Sequence, residues 1–406
     1  MGEPAGEAVE RARRTIGAIL MTEKMGVKVD LSVWMPLLVE SRLTALPCDL
    51  LLRGRLRPGL TTDSPEVLAA LEQWPAQAHL HVDDEGTEVV LVCQREEGTG
   101  GIPWIHVLLL AATLLTTLGS GALMAGRDPF RTRVLEVGEF LLPYPTGLEL
   151  GSLWLGGSFA FCFLGVLVCH EMGHYWAARR HRVSASLPYF IPFPPYLSVI
   201  GSLGAFIRLR GPTVRRSILF DIGASGPLAS FVVSVPMLIM GLRMSRVIPG
   251  PASVTAPFVL RFADQPVWLG NGLATHILAA LFGPGPVGEG LILLHPVALA
   301  GWLGLFVTAL NLLPLGQLDG GHVLYSLFPR RHVRLARLFL FALVPLGLLW
   351  WGWWGWAALV LVLHRGRVGH PTVLQPAPAL GRARTVVGWI LIAIFLLTFV
   401  PVPIQL

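Results

Sequence analysis

The chain carries few charged residues for its length. Only 14% of its 406 residues are Asp, Glu, Lys or Arg, whereas 53% are hydrophobic. Soluble globular chains carry about 25% charged residues. The low charge, gathered between long uncharged runs, excludes a set of soluble domains and indicates a polytopic membrane protein. The net charge of +6 does not call for nucleic acid, because most Lys and Arg lie in loops beside these runs, as the positive-inside rule predicts.

Cysteine is also scarce, which excludes a disulfide framework. The four cysteines show no paired spacing. Cys162 and Cys169 fall within an apolar run, where cysteine behaves as a small hydrophobe. Cys169 precedes His170 and is a candidate fourth metal ligand, although a neighbour at i−1 points away from the histidine face. The first hundred residues contain no long apolar run, so we expect no cleavable signal peptide and assign the membrane signal to the first span.

The sequence does contain a metal-binding pattern in an unusual setting. The run from Leu150 to Cys169 has no charged residue and continues directly into His170-Glu171-Met172-Gly173-His174. On a helix, residues four apart share a face, so both imidazoles can bind one cation, with Glu171 placed to take a proton from water. Ionisable groups in a membrane span are costly and usually functional. The alternative, two core histidines and a stray glutamate, is therefore disfavoured, and zinc is the predicted metal.

A tetrahedral zinc site needs a third protein ligand, and Asp319 is the best candidate. It is the only acid between Glu289 and the C-terminus, and it follows another uncharged run. The alternative is that Asp319 caps a helix or forms an Asx-turn before Gly320 and Gly321.

Together these motifs resemble the site-2 protease family of intramembrane metalloproteases. The resemblance covers roughly residues 100–327 and includes Asn311-Leu-Leu-Pro314 before Leu318-Asp319-Gly320, and Phe220-Asp221 before Gly226-Pro227. It implies one zinc held by His170, His174 and Asp319, Glu171 as the catalytic base, and Asn311 as a residue that contacts the substrate or the oxyanion. It also implies that the substrate is a transmembrane segment of another protein.

The predicted fold is a mainly α polytopic membrane protein with six or seven transmembrane helices and a small N-terminal cytosolic α/β domain. Residues 50–56 read as a strand, Ser64-Pro65-Glu66 as a helix start, and 79–92 as a hairpin. The predicted divisions are a tail (1–30), a small α/β domain (31–94), a linker (95–104), a catalytic core (105–327) and C-terminal transmembrane helices (328–406).

Arginines in the loop between Arg179 and Arg216 place that loop in the cytosol, and the N-terminus with it. We therefore expect a multi-pass protein of a prokaryotic cell membrane whose active site opens to the cytosol. The run 338–363, with its Trp-Gly cluster, reads either as two short helices with a tight turn or as one tilted span. Within this loop, the pattern of residues 202–210 predicts a strand. Either its exposed edge accepts an extended substrate, or the strand belongs to a structural hairpin packed against the helices.

Several other residues have competing interpretations. Asp221 is interpreted as a helix N-cap rather than a ligand. His322 either orients Asp319 or caps and hydrogen-bonds locally, and His79 and His81 are taken as surface residues. At the level of function, the alternatives are a membrane metal-binding or transport protein and an inactive scaffold, which would not need Glu171. The N-terminal domain, which lacks a metal or nucleophile constellation, is expected to bind a regulatory partner.

Overall fold

The fold is described from a computed structural model of the whole chain. The described residues are 31–45, 49–74, 77–83, 85–94, 103–137, 140–210, 215–250, 257–285, 290–363, 365–366, 368–370, 373 and 379–405. The predicted tail (1–30), most of the predicted linker (95–104) and Cys48 therefore lie outside the described residues.

Helices account for most of the described chain. In chain order they are α1 Pro65–Gln73, α2 Pro103–Met124, α3 Leu150–Leu153, α4 Gly157–Arg180, α5 Arg216–Met244, α6 Leu273–Phe282, α7 Pro296–Asn311, α8 Asp319–Leu327, α9 His332–Leu349, α10 Gly352–Leu363 and α11 Arg382–Thr398.

The strands are short, and in the described part of the chain they belong to five separate sheets. In chain order they are β1 Leu38–Ala45, β2 Asp49–Leu56, β3 Ala78–Asp83, β4 Gly86–Gln94, β5 Arg133–Val137, β6 Phe140–Tyr144, β7 Ser184–Ala185, β8 Tyr189–Pro192, β9 Ser202–Phe206, β10 Leu209–Arg210, β11 Arg246–Ile248, β12 Phe258–Phe262, β13 Gln265–Leu269, β14 Leu291–Leu293 and β15 Ile404–Gln405.

The chain divides into two compact units. The first comprises residues 1–102, 178–186 and 209–214, and the second comprises the remainder. In the first unit an antiparallel sheet of order β1-β2-β4-β3 carries α1. Leu50, Leu52 and Leu91 point from the sheet into a core with Val67 of α1, sealed by Trp34. The strand, helix and hairpin predicted for this region correspond to β2, α1 and the β3–β4 pair, whereas β1 was not anticipated.

The second unit holds the apolar helices. Four helices of the described chain are long and apolar enough to cross a membrane: Trp104–Met124, Leu150–Arg180, Arg216–Met244 and His332–Leu349. Helices α6, α7 and α10 are apolar but shorter. The structure thus supports a mostly helical, membrane-spanning fold with an N-terminal α/β region, while the predicted six or seven spans are not confirmed.

The uncharged run 291–318 is not one helix. Its first residues form β14, which pairs with β11 and β12 in a five-stranded sheet of order β11-β14-β12-β13-β15. His295 then accepts a hydrogen bond from the Val297 amide and begins α7, with Pro296 as the first helical residue. The helix ends at Asn311, shortly before Pro314, so α7 is only 16 residues long.

The Trp-Gly cluster separates two helices. α9 ends at Leu349 and α10 begins at Gly352. The two pack against each other, with the Trp354 indole donating to the Val344 carbonyl at 3.0 Å. Of the two interpretations of residues 338–363, the structure therefore agrees with the one in which two helices are joined by a tight turn.

Close helix packing surrounds the centre of the second unit. Gly301 of α7 lies against the backbone of Leu238 in α5, where an added Cβ would meet the Leu238 nitrogen at 2.5 Å. Gly241 of α5 lies equally close to Ala298. Because small residues allow helix backbones to approach closely in an apolar medium, α5 and α7 form a tight pair beside α4.

Candidate metal centre

The His-Glu-x-x-His residues lie well inside a long helix. α4 is apolar up to Cys169 and ends in Arg179 and Arg180, which favour a helix C-terminus. His170, Glu171 and His174 are all buried. The helical spacing brings the two Nε2 atoms within 3.1 Å of each other, as predicted from the four-residue separation.

Asp319 completes the cluster from a different part of the chain. One of its oxygens, Oδ2, lies 3.3 Å from His170 Nε2 and 3.2 Å from His174 Nε2. Among the described residues, these three form a group whose ligand atoms all lie within 4.8 Å of one another. Asp319 is the first residue of α8, and Leu318 occupies the N-cap position. The carboxylate thus faces the imidazoles, which speaks against the alternative role as a helix cap.

A glycine pair allows Asp319 to reach this position. Between α7 and α8 the chain turns back on itself, so that α8 starts against the end of α7. An added Cβ at Gly320 would lie 2.0 Å from the Leu312 carbonyl oxygen, and one at Gly321 would lie 2.4 Å from the Gly316 oxygen. Larger residues at either position would push α8, and Asp319 with it, away from α4.

Both histidines are oriented by groups from neighbouring helices. His174 Nδ1 lies 2.7 Å from the Ile222 carbonyl of α5, which can only accept, so Nδ1 carries the proton. His170 Nδ1 lies 3.2 Å from Ser230 Oγ, which is itself 2.8 Å from Thr308 Oγ1 of α7. With Nδ1 protonated, each Nε2 presents its lone pair to the centre of the cluster.

The turn of α5 beside His174 consists of small residues. An added Cβ at Gly226 would lie 2.1 Å from His174 Nε2, and one at Gly173 of α4 would lie 2.6 Å from the Ser225 carbonyl oxygen. The Gly-Ala-Ser-Gly-Pro stretch therefore provides the space that the imidazole occupies.

Glu171 and Asn311 lie beside the cluster without joining the three ligands. The buried Glu171 carboxylate accepts a hydrogen bond from the backbone of Ile207, directly after β9. Asn311, the last residue of α7, has its amide nitrogen 3.1 Å from His170 Nε2. The structure thus brings all five predicted site residues together.

Three other residues considered from the sequence do not belong to the ligand group found among the described residues. Cys169 is not part of the ligand group found among the described residues. His322 stacks edge-on against His370, with ring centroids 4.8 Å apart, and it too lies outside that group. Asp221 was interpreted as a helix N-cap, which is wrong: α5 begins at Arg216, and Asp221 lies more than one turn inside it.

Asp221 instead forms an ion pair that the sequence interpretation missed. Arg384 of α11 donates from Nε and from a terminal nitrogen to the two Asp221 oxygens, at 2.7 and 2.8 Å. The pair connects α11 to α5 one residue before Ile222, whose carbonyl orients His174. Ser230 and Thr308 were also missed, because their hydroxyl contacts join residues far apart in the chain and leave no signal in the sequence.

The donor set suits zinc. Two imidazole nitrogens and one carboxylate oxygen are typical of catalytic zinc sites, which use three protein ligands and leave a fourth position for water or substrate. The orientation of each imidazole through Nδ1 is likewise typical of metal-binding histidines.

Comparison with known families agrees with this geometry. Residues 158–346 match the model of Peptidase family M50, a span that contains the two histidines, Glu171, Asn311 and Asp319. This part of the chain is similar to Peptidase family M50. The resemblance to the site-2 proteases is thereby confirmed, and the M50 region includes α4, α5, α7 and α8.

Plant proteins are among the similar sequences. The Arabidopsis thaliana protein named "Probable zinc metalloprotease EGY1, chloroplastic" is 33% identical over 233 residues, which are 55% of this chain and 40% of that protein. The Oryza sativa subsp. japonica protein of the same name is 30% identical over 47% of this chain and 31% of its own length. The Arabidopsis protein named "Probable zinc metalloprotease EGY2, chloroplastic" is 30% identical over 52% and 36%. The chain thus spans 40% or less of the length of these relatives. No solved structure matches it.

Proposed function

We propose that the chain is an intramembrane zinc endopeptidase, which hydrolyses a peptide bond in or near a transmembrane segment of another protein. The observation that carries the proposal is the buried cluster of His170, His174 and Asp319 with Glu171 beside it, built on a helix long and apolar enough to span a membrane. The match of residues 158–346 to Peptidase family M50 supports the same activity.

The residues have distinct proposed roles. His170, His174 and Asp319 hold one Zn²⁺, which when bound acidifies water and polarises a carbonyl. Glu171 accepts the proton of the attacking water and passes it to the leaving amine. The Asn311 amide donates to the oxygen on which negative charge develops, an interaction that contributes about 3 kcal/mol when preorganised.

The β8–β9 hairpin is the proposed substrate-binding element. β9 pairs with β8 on one side, and no strand of the described residues pairs with its other edge. The residue after β9, Ile207, hydrogen-bonds Glu171. A segment added to that free edge would run past the catalytic base in extended form. Extension is needed because the carbonyls of a helical substrate are already hydrogen-bonded and shielded.

We further propose a multi-pass arrangement with six or seven spans, in which the shorter apolar helices α7 and α10 and the C-terminal α11 also cross lipid. The arginines that follow α4 and precede α5 support a cytosolic position for that loop, for the active-site opening and for the N-terminus. Labelling of a cysteine at Ser184 by a reagent confined to the outside would overturn this orientation. The prokaryotic cell membrane stays a prediction, since the relatives named above are plant proteins.

The proposed domain divisions are those expected from the sequence, with 105–327 as the catalytic core, 31–94 as a cytosolic regulatory domain and 328–406 as accessory helices. A transport function is not favoured, because the described chain gathers its metal-binding groups in one cluster and matches a peptidase family. An inactive scaffold is disfavoured by the presence of Glu171.

The experiment uses the purified full chain in lipid nanodiscs. Metal content is measured together with cleavage of a single-span peptide whose helix is broken by glycine and proline. Glu171→Gln should keep zinc but lose about 10²–10⁴-fold in rate. Asp319→Asn should lose zinc as well, because a neutral amide is a poorer ligand. The matched control, Glu149→Gln at an exposed acid, should match the parent. Proteolysis by the Glu171→Gln protein at the parental rate would contradict the proposal.

A further inference from the structure

A two-stranded hairpin joins the first two spans of the second unit. β5 and β6 are antiparallel, with Leu135 opposite Leu142 and Arg133 opposite Tyr144. No further strand of the described residues pairs with them. Leu135, Leu142 and Tyr144 share one face of the hairpin and Val134 lies on the other, and all four are between 42% and 57% exposed.

Water is an unfavourable environment for such a hairpin. An isolated pair of strands is at best marginally stable there. Antiparallel sheets in soluble proteins commonly pack one face on a core and expose a polar face to water, whereas this hairpin exposes Leu135, Leu142 and Tyr144 on one face and Val134 on the other. Exposed apolar surface that is contiguous rather than scattered marks an interaction site. The hairpin therefore needs an apolar partner.

Along the chain, the exposed apolar residues of the hairpin are followed by those of a candidate span. After Tyr144 the chain passes Leu148 and enters the candidate span Leu150–Arg180. The first turns of that span expose Leu150, Trp154 and Leu155, and Trp154 is 74% exposed. Tryptophan at the end of a span is typical of the boundary between lipid and water. The exposed apolar side chains in the first turns of this span thus follow those of the hairpin closely along the chain.

Hydrogen bonds attach the base of the hairpin to this boundary. The Glu149 amide donates to the Pro129 carbonyl at 2.7 Å, and the Thr146 amide donates to the Phe130 carbonyl at 3.1 Å. These residues lie between the end of α2 at Met124 and the start of α3 at Leu150. The base of the hairpin is consequently held beside the ends of two candidate spans.

The depth of the hairpin follows from its backbone and its charges. The unpaired edges of β5 and β6 cannot be satisfied in hydrocarbon, and Arg133 and Glu136 are exposed. The unpaired backbone groups and the charged side chains both require lipid headgroups or water nearby. We infer that the strands β5 and β6 form a membrane-surface anchor, which lies in the boundary between headgroups and acyl chains and places Leu135, Leu142 and Tyr144 against lipid. The inference rests on the membrane position of the adjoining span and does not depend on peptidase activity.

Site-directed spin labelling in nanodiscs tests this inference. The four native cysteines are replaced by alanine, with retained zinc content as the check on folding. Nitroxides are then placed singly at Leu135, Leu142 and Glu136. The references are Leu115, which is partly exposed in the middle of α2, and Asp63, an exposed loop residue of the first unit. Collision rates with oxygen and with a water-soluble nickel chelate are measured for each label.

We expect labels at Leu135 and Leu142 to show an oxygen-to-nickel ratio several-fold above that at Asp63, and between the Asp63 and Leu115 values. The Glu136 label, on the opposite face from Leu135, should give a lower ratio than either leucine. A hairpin that projects into water would give the Asp63 ratio at all three positions and would overturn the inference. Immobile labels that neither reagent reaches would also overturn it, because they would show a protein partner on this surface.

Discussion

Gly226, which has no side chain, leaves space that the metal centre needs. His174 Nε2 occupies the space that a Cβ at this position would fill, at a separation of 2.1 Å. Any larger residue must displace the imidazole or move α5 away from α4. Since α5 also supplies Ile222 and Ser230 to the two histidines, displacement would disturb both ligands at once.

We therefore predict that Gly226→Ala weakens zinc binding by at least about tenfold, as loss of an orienting contact does at other metal sites. Zinc affinity is measured by chelator competition on the purified protein. The matched control is Gly165→Ala in α4, where an added Cβ meets nothing within 4 Å; alanine should be tolerated there because it is the better helix former. Equal zinc affinity in the two variants would show that the site accommodates the methyl group.

Individual residues also show which parts of the metal centre can be predicted from the sequence. His170 and His174 were predictable because helical geometry alone brings residues four apart together. Asp319 was predictable because an acid is rare in such an apolar region. Ser230 and Thr308 were not, since hydroxyl residues are common in membrane helices and only the packing of α5 against α4 and α7 shows which ones face a histidine.

At the scale of elements, α11 is tied to α5 by the Asp221–Arg384 ion pair. The two-pronged geometry, with oxygens at 2.7 and 2.8 Å, gives the pair more specificity than a single contact. Around it, Leu391 and Ile394 of α11 pack with Phe220 and Ala224 of α5. The C-terminal helix thereby supports the part of α5 that orients His174, although α11 lies outside the M50 region.

We predict that Arg384→Gln and Asp221→Asn each lower the free energy of unfolding by about 1 kcal/mol, since the pair is partly exposed, and that each reduces zinc retention. The exchange Asp221→Arg with Arg384→Asp should recover part of both losses. Unfolding is followed in mixed micelles by circular dichroism. Arg382→Gln, an exposed arginine of the same turn, serves as the control. Independent effects of the two single changes, with no recovery in the exchange, would contradict a direct pairing.

The elements that sequence reasoning missed are those formed by distant residues. The five-stranded sheet has strands of only two to five residues, and β15 comes from the far end of the chain. Such short segments show no readable alternation, and an uncharged segment such as Leu291–Leu293 resembles the start of a membrane helix. The Asp221–Arg384 pair joins residues 163 apart, a pairing that one sequence cannot indicate. By contrast, α4 and α5 were recognisable because a span requires a long apolar run.

At the scale of the whole molecule, the first unit includes more than the N-terminal domain. Residues 178–186 belong to it, and within the unit Arg182 donates to the Trp74 carbonyl at 3.3 Å. Residues 178–180 are the last of α4, so this contact joins the N-terminal sheet domain to the continuation of the helix that carries the two histidines.

We predict that deletion of residues 1–94 leaves one zinc per chain but changes the basal cleavage rate or the choice of substrate, because the metal ligands all lie in the second unit. Zinc content and cleavage of a peptide panel are measured in nanodiscs. Arg182→Ala in the full chain, which removes the hydrogen bond to the Trp74 carbonyl, should reproduce part of the change in rate. A truncated protein without zinc would show that the domain is required for the catalytic fold.

The distance along the chain between His174 and Asp319 also has a consequence for biosynthesis. The two histidines enter the membrane early, on α4, while the carboxylate that completes the cluster arrives only after α5 and α7 have been made and packed. A nascent chain therefore holds an incomplete set of ligands throughout most of its insertion. The order of the ligands along the polypeptide thus delays completion of the metal centre until the later helices have been assembled.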